Sequence, residues 1–133
     1  MAPETAFERA VQARDADAIT AALAPDVRFR SPVVFSPYEG REAVSVVLRA
    51  VTQVFEEFEY VQRLEATDGS IALIFRAKVG DRELDGLDLL RFDNDGQVTE
   101  LTVMVRPMSG INALAEAMAE ELRRMGVPVP GGA

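Results

Sequence analysis

The chain has no cysteine and no histidine. The first absence excludes disulfides, a thiolate nucleophile and iron–sulfur ligation. The second removes the commonest general base and the commonest transition-metal ligand. A metal site would have to be built from oxygen alone, and no Asp-rich loop has calcium spacing. No metal or cofactor is expected. Basic residues are also scarce: 14 Lys and Arg stand against 22 Asp and Glu, a net charge of −8. That balance argues against nucleic acid and anionic membrane surfaces as partners. No apolar run approaches the length of a membrane span. The opening MAPETAFERA has neither a basic n-region nor an apolar h-region. The expected location is the cytoplasm.

What is present is enough apolar material for a real core. The 133 residues are 48% hydrophobic, the size and content of one ordinary domain. We read 1–126 as that single domain and the Pro- and Gly-rich 127–133 as a flexible C-terminal tail.

The first half has helical spacing. Thr5 to Arg14 places Phe7, Ala10 and Val11 on one stripe. Asp15 can cap a second helix, Ala16 to Leu23, which Pro25 is expected to end. Val27 to Arg30 alternates like a strand, with Val27 and Phe29 inward. The loop from Pro32 to Gly40 holds Val33, Val34, Phe35 and Tyr38, which either fold back on the core or rim a cavity. Glu42 to Phe55 is a longer helix with Ala43, Val46, Val47, Ala50, Val51 and Val54 as its apolar face.

From Phe58 the period changes to two. Phe58, Tyr60, Gln62 and Leu64 share one face, and Ile71 to Val79 is a strand with Ile71, Leu73, Phe75, Ala77 and Val79 on one side. A hairpin follows, turning at Asn94-Asp95-Gly96. Its second strand, Val98 to Arg106, has Leu101, Val103 and Val105 as an apolar face. These strands form an antiparallel meander. Ile111 to Met125 is a last helix, with Leu114, Met118 and Leu122 in its stripe. The whole is an α+β domain, a curved antiparallel sheet wrapped over three N-terminal helices plus a C-terminal helix. Phe75, Leu90, Leu101, Val103 and Val105 would line a pocket between the layers. Ile74, Leu87, Leu89 and Met104 lie among charges on the opposite face, a mix suited to a homodimer interface.

One residue breaks the pattern. Asp88 shares a face with Leu84, Leu90 and Phe92. A carboxylate there must pair, reach water or keep its proton. A bulge that turns it outward, or neutralisation by Arg106 or Arg76, would make it unremarkable. An unpaired inward acid would mark a functional site.

This order of elements, with LAPDVRFRSPVVFSPYEGREAV (Leu23 to Val44) and GLDLLRFDNDGQV (Gly86 to Val98), resembles the nuclear transport factor 2-like superfamily. That superfamily comprises cone-shaped α+β barrels, including ketosteroid isomerases, SnoaL-like cyclases, scytalone dehydratases and limonene epoxide hydrolases. The resemblance covers residues 5 to 107. The closest local likeness among the enzymes is to ketosteroid isomerase. It places Asp88 at that enzyme's protonated oxyanion Asp, Ser31 at its catalytic Asp base and Phe7 at its oxyanion Tyr. A serine without a histidine is no base at neutral pH, and phenylalanine donates no hydrogen bond. Steroid isomerisation by that mechanism is therefore not expected. The epoxide hydrolases' partner Asp falls about at Val103, and the dehydratase's histidine has no counterpart. SnoaL-like cyclases need little beyond one pocket acid, which Asp88 with Tyr38 or Tyr60 would meet.

Three readings follow. The chain is a binding protein for a small hydrophobic cyclic molecule, without catalysis. Or it is an isomerase, cyclase or dehydratase using Asp88 as acid and base. Or it is an interaction module using the outer sheet face.

Overall fold

The change of hydrophobic period near residue 56 marks the start of the long-stranded meander. The structure, a computed structural model, describes residues 3–127. The elements in order are α1 (Ala6–Gln12), α2 (Ala16–Ala21), β1 (Leu23–Arg30), β2 (Tyr38–Glu39) and α3 (Arg41–Val54). Then come β3 (Glu56–Glu65), β4 (Ile71–Val79), β5 (Arg82–Phe92), β6 (Val98–Arg106) and α4 (Met108–Arg124).

The six strands form one sheet in the order β2-β1-β6-β5-β4-β3. It curves around the helices without closing. The meander β3 to β6 is antiparallel as expected, but β1 pairs with β6 in parallel. The long crossover through α3 and the meander permits that direction. β5 sits inside the sheet between β4 and β6, so its inward side chains lie deep.

Local chemistry explains the helix starts. Thr5 and Glu8 form a reciprocal capping box on α1. The Asp15 side chain accepts from the Ala18 N–H and caps α2. The expected role of Pro25 is corrected: α2 already ends at Ala21, and Pro25 lies inside β1. The β1–β6 register shifts between Leu23 and Arg28. Proline's missing N–H therefore falls where the ladder is already interrupted.

Two face assignments are also corrected. On α3, Val47 and Ala50 are buried and Val51 and Val54 pack on the core as expected, whereas Ala43 is exposed and Val44 and Leu48 are buried in its stead. The apolar arc spans more than half of the helix, and packing buries the side of it that holds Val44 and Leu48. On β3, the register shifts between Tyr60 and Gln62. This bulge leaves Gln62 and Leu64 exposed and sets Arg63 opposite Leu73.

The inward Arg63 meets Glu8, which is only 2% exposed. Arg63 Nε lies 2.8 Å from Glu8 Oε1. Burial raises the Glu8 carboxyl, but the Arg63 and Thr5 hydrogen bonds outweigh it and hold the group below its ordinary value. The pair fastens α1 to the bulged edge strand.

Phe7, Ile19, Phe29, Val47, Leu73 and Leu101 belong to the main core between helices and sheet. A second cluster joins Phe55, Phe75, Leu84 and Leu114. Gly86 makes room for it. A Cβ there would come within 2.1 Å of the Phe75 ring, so the ring lies flat across the strand only because β5 has no side chain at that point. α4 follows a cis Arg106–Pro107 bond and lies against α3 and the sheet. Its first turn comes close because position 110 is glycine: a Cβ there would stand 2.9 Å from Leu84 Cβ.

At the end of α4 the Val127 N–H donates to Leu122 O at 2.8 Å. The rest of the expected tail, 128–133, lies outside the described residues. Among the described residues no helix is long and apolar enough to cross a membrane.

Candidate functional site

The inner face of β5 carries the one acid that needs explaining. Asp88 is opposite Leu73 on β4 and Val103 on β6, and it points into the core side at 8% exposure. No bulge turns it outward. Neither of the two candidate arginines neutralises it, since Arg76 and Arg106 both pair with Asp85 on the outer face. Its polar partner among the described residues is the Tyr60 hydroxyl, 3.5 Å from Asp88 Oδ2. That is long for a hydrogen bond and lowers the carboxyl only a little. Burial dominates and pushes Asp88 up to about 7. The same burial, with the Asp88 charge beside it, raises the Tyr60 phenol far above its ordinary range. Tyr60 therefore keeps its proton and is a donor.

Asp88 opens on a cavity of about 90 Å³ between the helices and the sheet. Phe7, Phe75, Leu101 and Val103 line it, whereas other residues expected there lie elsewhere. Leu90 is wholly buried in the main core, and Val105 packs in the second cluster. Tyr60 reaches Asp88 without lining the cavity. The helices and their ends supply the walls that pattern did not reveal: Val51 and Leu114 from α3 and α4, Arg14 between α1 and α2, and Phe55 just past α3. Arg14 has a positive φ of 56° and donates to Thr52 O and to Phe55 O, the latter at 3.3 Å. It holds the C-terminal end of α3 at the cavity. Its left-handed backbone is not legible from an arginine in sequence. Phe55, Phe58 and Phe75 pack with ring centres within 5.9 Å of one another, and Phe58 meets Tyr60 edge-on at 5.0 Å. The wall near Asp88 is thus aromatic.

Ser31 and Tyr38 lie elsewhere, on a second cavity of about 80 Å³. Ser31 Oγ accepts the N–H groups of Val33 and Val34, both at 3.0 Å. It organises the loop and does not face Asp88. Tyr38 stacks on Phe29 at 5.8 Å. Among the described residues no three acidic side chains are grouped to hold a metal ion.

These features match known proteins. A family profile described as a SnoaL-like domain matches residues 4–101. The chain belongs to the SnoaL-like family. The structure is similar to a steroid delta-isomerase from Pseudomonas aeruginosa, at 44% identity and a TM-score of 0.86, covering 90% of this chain and 88% of that one. It is also similar to a bacterial protein with a cystatin-like fold from Silicibacter pomeroyi, at 34% identity and TM-score 0.83, covering 89% and 83%. A SnoaL-like protein from Burkholderia thailandensis shares the fold at 22% identity and TM-score 0.65, covering 77% and 90%. No curated protein matches the chain. This SnoaL-like domain therefore sits in the ketosteroid isomerase-related branch of the nuclear transport factor 2-like superfamily.

Proposed function

We propose that the protein binds a small hydrophobic cyclic molecule in the first cavity and holds one of its oxygens through Asp88. The observation that carries this reading is a buried carboxyl on an apolar wall, with a phenol as its polar neighbour. Held near 7, the acid is largely protonated in mildly acidic solution and donates to a carbonyl oxygen. The aromatic wall of Phe55, Phe58 and Phe75 orients a ring. With Ser31 on the other cavity and Phe7 on the wall of the first, Asp88 has no second carboxyl beside it there among the described residues. That favours binding without turnover.

A second reading keeps the same site and adds chemistry. A carboxyl near 7 can take and return a proton at neutral pH. One similar structure bears the name steroid delta-isomerase, at 44% identity. Asp88 would then be the acid and base of an isomerase, cyclase or dehydratase. We also propose that Ile74, Leu87, Leu89 and Met104 on the outer sheet face pair with a second copy. Ile74, Leu87 and Met104 line up across β4, β5 and β6 between flanking ion pairs, a pattern of apolar centre and charged rim.

Calorimetric titration with cyclic ketones at pH 6 and pH 8.5 tests the first reading. Affinity should fall about tenfold or more at the higher pH. Asp88→Asn should bind with no such dependence, and Asp88→Leu should lose the polar contribution at both. Equal affinity at both pH values, or an indifferent Asp88→Leu, would overturn it. Turnover of the bound ketone that Asp88→Asn abolishes would select the second reading.

A further inference from the structure

The second cavity plays no part in the site above, yet it adjoins it. Phe29, Pro32, Val51 and Leu114 line both cavities, so one layer of side chains separates two chambers. Their walls differ in kind. The first is aromatic around Asp88, whereas the second has the stacked Phe29 and Tyr38 on one side and a long aliphatic wall on the other, with Ala115, Met118, Ala119 and Leu122 of α4. Helix packing normally fills such positions to interior density. Here alanines at 115 and 119 leave the space unfilled. The α4 wall also lies beyond residues 4–101 matched by the family profile. Ser31, the polar group at the rim, already accepts two backbone N–H groups. The loop that supplies Val33 and Val34 to the rim also carries Phe35 at 95% exposure.

We infer that the second chamber is a tail subsite of the same binding site, an inference that rests on the proposed ketone-type recognition at Asp88. The ligand is an amphiphile: an oxygen-bearing ring occupies the aromatic chamber, and an aliphatic chain passes Leu114 into the chamber under α4. Leu114 is then the side chain that sets whether a tail is admitted. Ala115 and Ala119 set how much of it fits.

A series of 4-alkylcyclohexanones from methyl to octyl tests this by calorimetry at pH 6. Affinity should rise about threefold to fourfold for each methylene the second chamber buries. It should level off once the chamber is full. Ala119→Phe occupies the chamber with its own ring, so the octyl-to-methyl affinity ratio should fall at least tenfold. Ala115→Leu is a milder filling that should lower the same ratio, and it serves if the phenylalanine variant does not fold. A ratio unchanged in the folded variant, or a flat series in the wild type, overturns the tail subsite while leaving ring binding at Asp88 intact. Failure of even the methyl compound to bind overturns the reading of the first cavity and the subsite with it.

Discussion

Replacing Asp88 by asparagine should stabilise this protein increasingly as pH rises from about 4 to about 7, and fully above that. The amide would keep the shape and a hydrogen-bonding group toward Tyr60 while removing the charge. Moving an aspartate from 3.8 to about 7 penalises the charged form by about 4 kcal/mol. The folded value lies above the unfolded one, so between the two the folded state holds a proton that the unfolded state has lost. Stability from this group is therefore intact below about pH 4, declines as pH rises to about 7, and then levels. At pH 8.5 the wild type carries the whole penalty and Asp88→Asn carries none. We expect the variant to be about 2–4 kcal/mol more stable there, water entry taking up part of the full figure. At pH 4 the two should differ by less than about 1 kcal/mol. For a chain of this size the difference at pH 8.5 amounts to roughly ten degrees in Tm. Urea unfolding followed by circular dichroism at pH 4, 5.5, 7 and 8.5 provides the assay. The chain holds 22 acids, so only the wild-type–variant difference isolates Asp88. A difference that stays constant across pH, or a variant less stable at pH 8.5, would refute the reasoning.

Three further outcomes follow from the packing. Gly86→Ala should cost about 2–3 kcal/mol, because the new methyl meets the Phe75 ring within the core. Phe75→Leu in the same chain should recover part of the loss in a double-mutant cycle. Arg63→Ala should cost about 3 kcal/mol at pH 7 by stranding the buried Glu8. The Glu8 carboxyl is held below its ordinary value, so the pair's contribution is present above about pH 4.5 and is lost as pH falls further; the deficit should shrink with it in urea melts. Leu87→Arg should convert a dimer into a monomer by light scattering, and a wild type that is monomeric at all concentrations would refute the self-pairing.

The sequence revealed the meander well. β4 and β6 match their expected limits because strict alternation and Gly-Asp turns agree there. It revealed less where one signal had two solutions. The broad apolar arc of α3 hid where its buried stripe ends: Val47 and Ala50 were legible, but Ala43 stood in for Val44 and Leu48. The β3 bulge sits among apolar residues that continue the alternation, so nothing marked Arg63 as inward. The β5 pattern put Asp88 on the inward face but left open a bulge that would turn it outward or a pairing with Arg76 or Arg106; the register has no bulge there and gives both arginines to Asp85. The helical side of the cavity was least legible. Which of Arg14, Val51, Phe55 and Leu114 meet across it depends on how the helices lie on the sheet.

The proposed site stands or falls on a buried, unneutralised acid in the SnoaL-like cavity. The most direct measurement is a carboxyl-carbon NMR titration of Asp88, assigned by comparison with Asp88→Asn. The expected midpoint is near 7. A midpoint near 3.8 would contradict it, since the carboxyl would then be solvated or paired and the pocket would have no neutral acid to offer a ligand.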